Sequence, residues 1–438
     1  MKIARLSLLA ALATLSAVAA PEESLKNWPS WRGPLSSGVA PLANPPVSWD
    51  ENSHVKWKIP VPGEGTGSPV VWNDLVFILT AVPTGTNGSG NGAPAGSDQP
   101  QEEEKFTVLA YERSTGKLRW QDSPRVEVPH EGHHKDHGFA SASAVTDGEV
   151  VIAYFGSRGL HAYDLAGKPL WHKDLGKQHT RNGFGEGSSP ALHGNTVVIV
   201  WDHQGDDFIA AFDKRTGNEL WRKTRTEDTN WSTPLIVEKE GHAQVVVNSS
   251  NKVRSYDLTN GDLLWEAGGQ TANAIPTPVA GDDRVYVTSG FRGAAFQAIT
   301  LGRKGDLTGT DAIAWTHNKN TPYVPSPLLY DSFLYFFAGN NAQLTVLDSK
   351  DGATRLDAER LDGIFGVYAS PTAAAGRVYL TGRNGVVWVI KPGAKLEVLS
   401  KNKLDDNFDA TPALVGNELF LRGHKYLYAL SGADAVAK

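Results

Sequence analysis

Eight times along this chain a Ser or Thr opens a pair of short, apolar-alternating segments, and in seven of the eight the next residue is proline. These openings are "SPVVWNDLVFIL" at Ser68, "SPALHGNTVVIV" at Ser189, "TPLIVEKEGHAQVVV" at Thr233, "TPVAGDDRVYVT" at Thr277, "SPLLYDSFLYFF" at Ser326, "SPTAAAGRVYLT" at Ser370 and "TPALVGNELFLR" at Thr411. The eighth, "SAVTDGEVVIAY" at Ser143, carries Ala in place of Pro. From Pro190 onward the steps between copies are 44, 44, 49, 44 and 41 residues. Each copy holds two β-branched or aromatic runs split by a tight Asn, Asp or Gly turn, which is a hairpin pattern. A second hairpin follows it, seen in "AYERSTGKLRW", "AYDLAGKPLW", "AFDKRTGNELW" and "SYDLTNGDLLW". Four strands in a repeat of about 44 residues is the period of a β-propeller blade.

The count of strands fixes how the ring closes. There are eight inner-strand copies, and eight outer strands only if "HVKWKIP", His54 to Pro60, is included. That segment precedes the first inner strand, while the chain ends in a third strand, "KYLYALSG", with no fourth. The N-terminal strand is therefore expected to complete the last blade and remove its open edge. The fold predicted is all-β: an eight-bladed β-propeller of four-stranded blades over 54–434, closed by its N-terminal strand. Trp57, Trp120, Trp171, Trp221, Trp265 and Trp315 recur at the outer-strand position, and the last two outer strands have none. Their regular spacing predicts packing between blades.

Composition restricts the setting. Lys2 and Arg5 precede an apolar run from Leu6 to Val18 and a small-residue site at Ala17 to Ala19, so residues 1–19 read as a cleaved signal peptide. The apolar run is too short to span a bilayer. The mature chain is expected in the periplasm or outside the cell, with cleavage near Ala19. With no cysteine there is no disulfide, no thiolate zinc site and no cysteine lipid anchor. Removal of Lys2 and Arg5 leaves 40 basic against 48 acidic residues, and this balance gives no support for nucleic-acid binding. Residues 20–53 form an N-terminal extension containing "WPSWRGP" at Trp28. Within blade 1, "TGTNGSGNGAPAGSDQPQEEE" from Thr84 to Glu104 predicts a disordered insertion over 81–105.

The pattern A-x-D-x-x-T-G-x-x-x-W, nearly whole in "AFDKRTGNELW", resembles the repeat of the pyrroloquinoline-quinone (PQQ) propellers. The opening "WPSWRGPLSSG", Trp28 to Gly38, resembles the start of exported PQQ-repeat-like propellers. Two branches share these blades. The quinoprotein alcohol and sugar dehydrogenases bind PQQ and usually Ca2+ at the funnel mouth. The propeller lipoprotein of the outer-membrane β-barrel assembly machine is a non-catalytic scaffold. This chain has neither the adjacent-cysteine disulfide of many of the dehydrogenases nor the lipoprotein cysteine.

Loop lengths indicate which face carries function. Turns on one face are minimal, such as "WND", "HGN" and "VGN", while those on the other are longer and chemically loaded. The second face collects "VPHEGHHKDHG" between blades 1 and 2, with His130, His133, His134 and His137 as metal-ligand candidates. It also collects "HTRNGFGEGS" between blades 2 and 3 and "WDHQGDD" in the middle turn of blade 3. These supply Glu186, Asp202 and His203 as acid/base candidates, and all are expected to converge. "DDNFD", Asp405 to Asp409, is placed between blade 8 and blade 1. Arg158, Arg292, Arg383 and Arg422 in four middle turns read either as turn residues bonding neighbouring carbonyls or as a ring of planar donors for anions. Phe184, Trp231, Tyr323, Tyr368 and Phe408 read either as rim packing or as platforms for a sugar ring or quinone.

Three functions fit this reading. The first is an exported scaffold or binding protein for an envelope protein or an extracellular glycan. The second is a PQQ- and Ca2+-dependent oxidoreductase of alcohols or sugars, with Asp202 or Glu186 as base. The third is a lyase or hydrolase of acidic saccharides using another divalent metal held by the histidines.

Overall fold

In the computed structural model, which describes residues 22–87, 102–281 and 283–432, the repeats form eight antiparallel sheets arranged as the blades of a propeller. Blade 1 consists of Val70–Trp72, Leu75–Asn87, Glu102–Glu112 and Leu118–Glu127. Blade 8 consists of Ala413–Val415, Glu418–Arg422 and Tyr426–Ser431, and Val55–Pro60 supplies its outer strand, with Trp57 opposite Ala429. The closure expected from the strand count is present. The residues read as a signal peptide lie outside those described. The expected insertion narrows, because its flanking strands pair through Pro83↔Glu104 to Asn87↔Glu102. The intervening residues 88–101 lie outside the described part.

The Ser and Thr that open the repeats do more than begin strands. Their backbone N–H groups donate to the hydroxyl of the same position in the next blade. The order is Ser68 to Ser143, Ser143 to Ser189, Ser189 to Thr233 and Thr233 to Thr277. It continues from Thr277 to Ser326, Ser326 to Ser370 and Ser370 to Thr411, and closes from Thr411 back to Ser68. All eight bonds are 2.9–3.1 Å long, and all eight residues are buried. Eight strands crowd at the axis, where a free N–H would find no water. The hydroxyl ring satisfies these donors sideways, and proline at the following position removes the next N–H altogether.

Farther out, tryptophan fastens five of the blades to their successors. The indoles of Trp57, Trp120, Trp171, Trp221 and Trp315 donate to the carbonyls of Arg113, Leu165, Lys214, Leu258 and Ser349 in the following blade. The turn glycine of that blade lies flat on the indole. Gly217, at φ 69°, would put a Cβ 2.6 Å from the Trp171 ring, so the position requires both positive φ and the absence of a side chain. Trp265 differs, bonding Gln244 in its own blade. There the neighbouring blade contributes Gly305–Asp306 as a fifth strand, parallel to Leu263–Ala267.

The N-terminal extension runs across the end of the axis beneath the hydroxyl ring. Trp28 pairs with Val71 of blade 1, and Gly38 and Ala40 pair with Ala373 of blade 7. Between them Arg32 is buried and donates to the carbonyls of Ser37, Pro327 and Pro371. Burial alone pulls its guanidinium down to about 9. Trp31 reaches the ring itself, its indole donating to the Thr411 hydroxyl at 3.1 Å.

The ring can be tested by removing one acceptor. Thr277→Val keeps the shape but leaves the buried Thr233 N–H unpaired, and is expected to cost about 1–3 kcal/mol in urea unfolding. Thr277→Ser should recover most of that loss.

Candidate functional site

Above the ring the blades leave a funnel of about 410 Å³. Its lining follows a simple positional pattern, because side chains alternate along an extended chain. The residue two places before each ring hydroxyl faces the funnel in every blade: Thr66, Ser141, Gly187, Trp231, Ile275, Val324, Tyr368 and Asp409. Trp31 lies at the floor, and His134, Asp136, His137, Phe184, Phe291 and Tyr323 rise around this circle. The funnel is thus built by the connections between blades, with Phe291 contributed by a middle turn.

One side of the funnel is polar and internally neutralised. Arg383 grips Asp409 through Nε at 2.7 Å and Nη2 at 3.2 Å, and reaches Asp136 at 3.3 Å. Its guanidinium lies 4.0 Å from the centre of the Tyr368 ring, whose hydroxyl donates to Asp136 at 3.2 Å. His424 shares Asp409 through Nε2 at 2.9 Å. Burial works against the Asp136 carboxylate, yet Arg383 and Tyr368 hold it below the usual range. Burial and Asp136 together push the Tyr368 phenol up to about 12, and the bond to Asp409 raises His424. This cluster ties the loop between blades 1 and 2 to blades 7 and 8 across the funnel. "DDNFD" lies between blades 7 and 8, preceding Ala413 of the last blade, a correction to its expected position.

The opposite side is aromatic. Phe291 and Tyr323 stack with centroids 5.0 Å apart at 24°, and the Trp231 indole donates to the Gly185 carbonyl at 2.7 Å. Phe184 meets His134 edge to face at 5.3 Å. At the base, His137 accepts from the Ser141 hydroxyl at Nδ1, 2.8 Å away, and its Nε2–H donates to the Glu186 carbonyl at 3.0 Å. Burial, reinforced by neighbouring His133, pulls the His137 imidazole down to about 4.

Several expected site residues are placed elsewhere. Asp202 is fully buried in a bidentate pair with Arg225, at 2.7 and 2.9 Å, and also accepts from Asn230. Arg225 in turn donates to Tyr256 and Ser249 of blade 4, so the pair joins blades 3 and 4 out of reach of solvent. His203 is buried against Trp201 and accepts the His179 N–H. Glu186 turns from the funnel to Arg158 and the Ser157 N–H, and burial pushes its carboxyl up. Glu186 lies near enough to His203 to feel its charge, but none of Glu186, Asp202 and His203 lines the funnel.

The arginines separate in the same way. Arg158 is buried under Phe106 and Phe139, with Glu127 and Glu186 as partners. Arg422 is buried with no carboxylate partner among the described residues, and donates to the Gly67 and Leu79 carbonyls of blade 1. Burial draws it down to about 10. Arg292 is exposed at φ 53°, beside Phe291. Of the four, Arg383 alone backs the funnel wall, through Asp136, Asp409 and Tyr368, and none of them lines it, so no ring of anion-binding arginines forms. Phe408 is core, packed against Tyr428.

The four histidines of "VPHEGHHKDHG" do not share a centre. His133 Nδ1 bonds the His134 carbonyl, His134 Nδ1 accepts from the Asp136 N–H, and both His137 nitrogens are engaged. His130 lies apart from these three and bonds the Gln178 carbonyl. Nor does the funnel fit a calcium–quinone pair. Calcium requires six to eight converging oxygens, and the two carboxylates lining the funnel are already held by Arg383 and His424.

The funnel histidine has a pH signature. A depressed His137 leaves the folded state unprotonated while the unfolded chain binds a proton below about 6.5. Stability from this group is therefore present above that pH and lost as pH falls toward 4. His137→Gln is expected to flatten the fall in unfolding free energy between pH 6.5 and 4 by up to about 1.4 kcal/mol per pH unit. Urea unfolding of both proteins across that range measures it.

The comparisons with known proteins agree with this architecture. The family model described as Outer membrane protein assembly factor BamB matches residues 44–183 and 104–357. Among solved structures, BamB from Moraxella catarrhalis aligns with 85% of this chain and 98% of its own, at TM-score 0.57 and 12% identity. Quinohemoprotein alcohol dehydrogenase from Comamonas testosteroni aligns with 93% of this chain and 80% of its own, at TM-score 0.62 and 11% identity. The quinohemoprotein alcohol dehydrogenase ADHIIG from Pseudomonas putida HK5 aligns with 95% and 81%, at TM-score 0.56 and 12% identity. At such identities the likeness is one of fold. No curated protein matches the sequence.

Proposed function

The chain belongs to the family of the outer membrane protein assembly factor BamB, and from that premise we propose that it is an exported binding propeller whose funnel receives the end of a neutral extracellular glycan. The observation that carries this is the division of the funnel wall. One half presents the aromatic faces of Trp231, Phe291 and Tyr323, and the other presents Asp136 and Asp409, held from behind by Arg383 and His424. Sugar rings combine apolar C–H faces with hydroxyls, and this pairing of platform and bidentate polar groups suits them. The Ser and Thr hydroxyls on the floor add further partners. A strongly anionic ligand would meet Asp136 and Asp409, which argues for neutral saccharides over acidic ones. The volume suits one or two sugar units of a longer chain.

Export is part of the proposal and rests on the N-terminal sequence. Among the described residues no helix is long and apolar enough to cross a membrane. A second reading, docking of an envelope polypeptide at the same mouth, is supported by family membership and by Phe365, which stands 67% exposed on the connection between blades 6 and 7.

Glycan-array screening followed by calorimetry separates these readings. A neutral oligosaccharide should bind, with Trp231→Ala and Arg383→Gln each weakening it about tenfold or more while circular dichroism stays unchanged. Blank arrays together with capture of an envelope protein dependent on Phe365 would transfer the function to the second reading.

A further inference from the structure

His130 acquires a different neighbourhood in the fold from the one its sequence suggests. Its ring meets His179 edge to face, with centroids 5.6 Å apart, and Glu131 lies beside both. Ligand atoms of His130, Glu131 and His179 all fall within 4.8 Å of one another. We propose that these three residues form a binding site for a divalent transition metal of the zinc class, fastening the loop between blades 1 and 2 to the loop between blades 2 and 3.

The surroundings orient the donors as a metal site requires. His130 Nε2–H donates to the Gln178 carbonyl at 2.6 Å, which leaves Nδ1 as its lone-pair donor. A backbone carbonyl on the second ring nitrogen is the usual support for a ligating histidine. Gln178 is itself held, its N–H donating to the Ser157 hydroxyl at 2.7 Å. Glu131 is buried, and its Oε1 accepts both the Thr180 N–H at 2.9 Å and the Thr180 hydroxyl. Its Oε2 lies 3.7 Å from His179 Nδ1. Oε2 also takes a longer bond from the Thr180 N–H at 3.2 Å, so the carboxylate is fixed mainly through Oε1 while Oε2 and His130 Nδ1 lie nearest the common point.

Charge and chemistry identify the ion. Glu127 and Glu186 pair with Arg158, which contacts His130 Nδ1 at 3.4 Å, a long contact that a metal would displace. Lys177 also acts on His130, and Glu131 is the carboxylate set against these cations there. Two imidazoles with one carboxylate favour zinc, copper or nickel over calcium or magnesium, which prefer oxygen alone. Because the His179 side chain is 66% exposed, the fourth tetrahedral position opens to water. None of the three residues lines the funnel, but their loops carry His134, Asp136 and His137 on one side and Phe184 on the other. The site therefore braces one arc of the funnel wall, and it stands independently of any saccharide.

Zinc titration of untagged protein against a chromogenic chelator tests this. One Zn2+ per chain is expected, with affinity at least about tenfold weaker in His179→Ala and Glu131→Gln and unchanged in His133→Ala. Zn2+ should also raise the melting temperature of the wild type but not of His179→Ala, whose exposed side chain can be lost without damage to the core. No stoichiometric uptake, or equal uptake by wild type and His179→Ala, would overturn the proposal. An equal loss in His133→Ala would do the same, since it would mark adventitious histidine binding.

Discussion

The closed ring of eight N–H to hydroxyl bonds is the interaction on which the rest of this propeller depends. It runs from Ser68 through every blade to Thr411 and back to Ser68. A propeller must bring its inner strands together at the axis, where backbone donors are cut off from water and have no neighbouring strand to receive them. A hydroxyl carried one blade onward supplies the acceptor without adding bulk. Only Ser or Thr combines a short reach with an oxygen at that point, which explains why the position admits both and nothing else in eight copies. Ser143, with Ala behind it instead of Pro, keeps its place in the ring, so the hydroxyl rather than the proline is the essential element.

Fixing the ring also fixes the funnel. With that position locked in all eight blades, alternation of the extended chain directs the residue two places earlier toward the axis. The repeat thereby becomes a variable circle of eight side chains on an invariant frame, here including a Trp, a Tyr and an Asp beside small and aliphatic residues. Function can change by substitution in this circle while the blades stay intact, and this accounts for one fold hosting dissimilar tasks. Trp31 completes the arrangement by coupling the N-terminal crossing segment to the Thr411 hydroxyl.

Much of the fold was legible in the sequence, because blade period, turn residues and outer tryptophans are local patterns. Closure by Val55–Pro60 followed from counting strands. The site was only partly legible. Trp231, Tyr323, Tyr368, His134 and His137, which the sequence places on the longer loops, line the funnel, and Arg383 lies behind it. Asp202 looked catalytic because its partner Arg225 lies on the far edge of the same blade, and nothing local announces that pairing. Arg422 bonds carbonyls of the neighbouring blade, one of the two readings its sequence position allowed, whereas Arg158 is buried against Glu127 and Glu186, which no local pattern announces. The hydroxyl ring was visible as a motif, but its bonds join residues at least 41 apart in the chain. His130 was drawn to its own cluster of histidines, whereas its geometric partner His179 comes from the following inter-blade loop.

Hydrogen exchange under native conditions measures the ring most directly. If the eight donors from Ser68 to Thr411 hold the blades together, their amides exchange only through global unfolding and form the slowest class in the protein. The outer-strand amides of the same blades should open by smaller local fluctuations and exchange sooner. Ring amides that exchange as fast as the outer strands would contradict the account, and would mean that packing between blades holds the propeller without them.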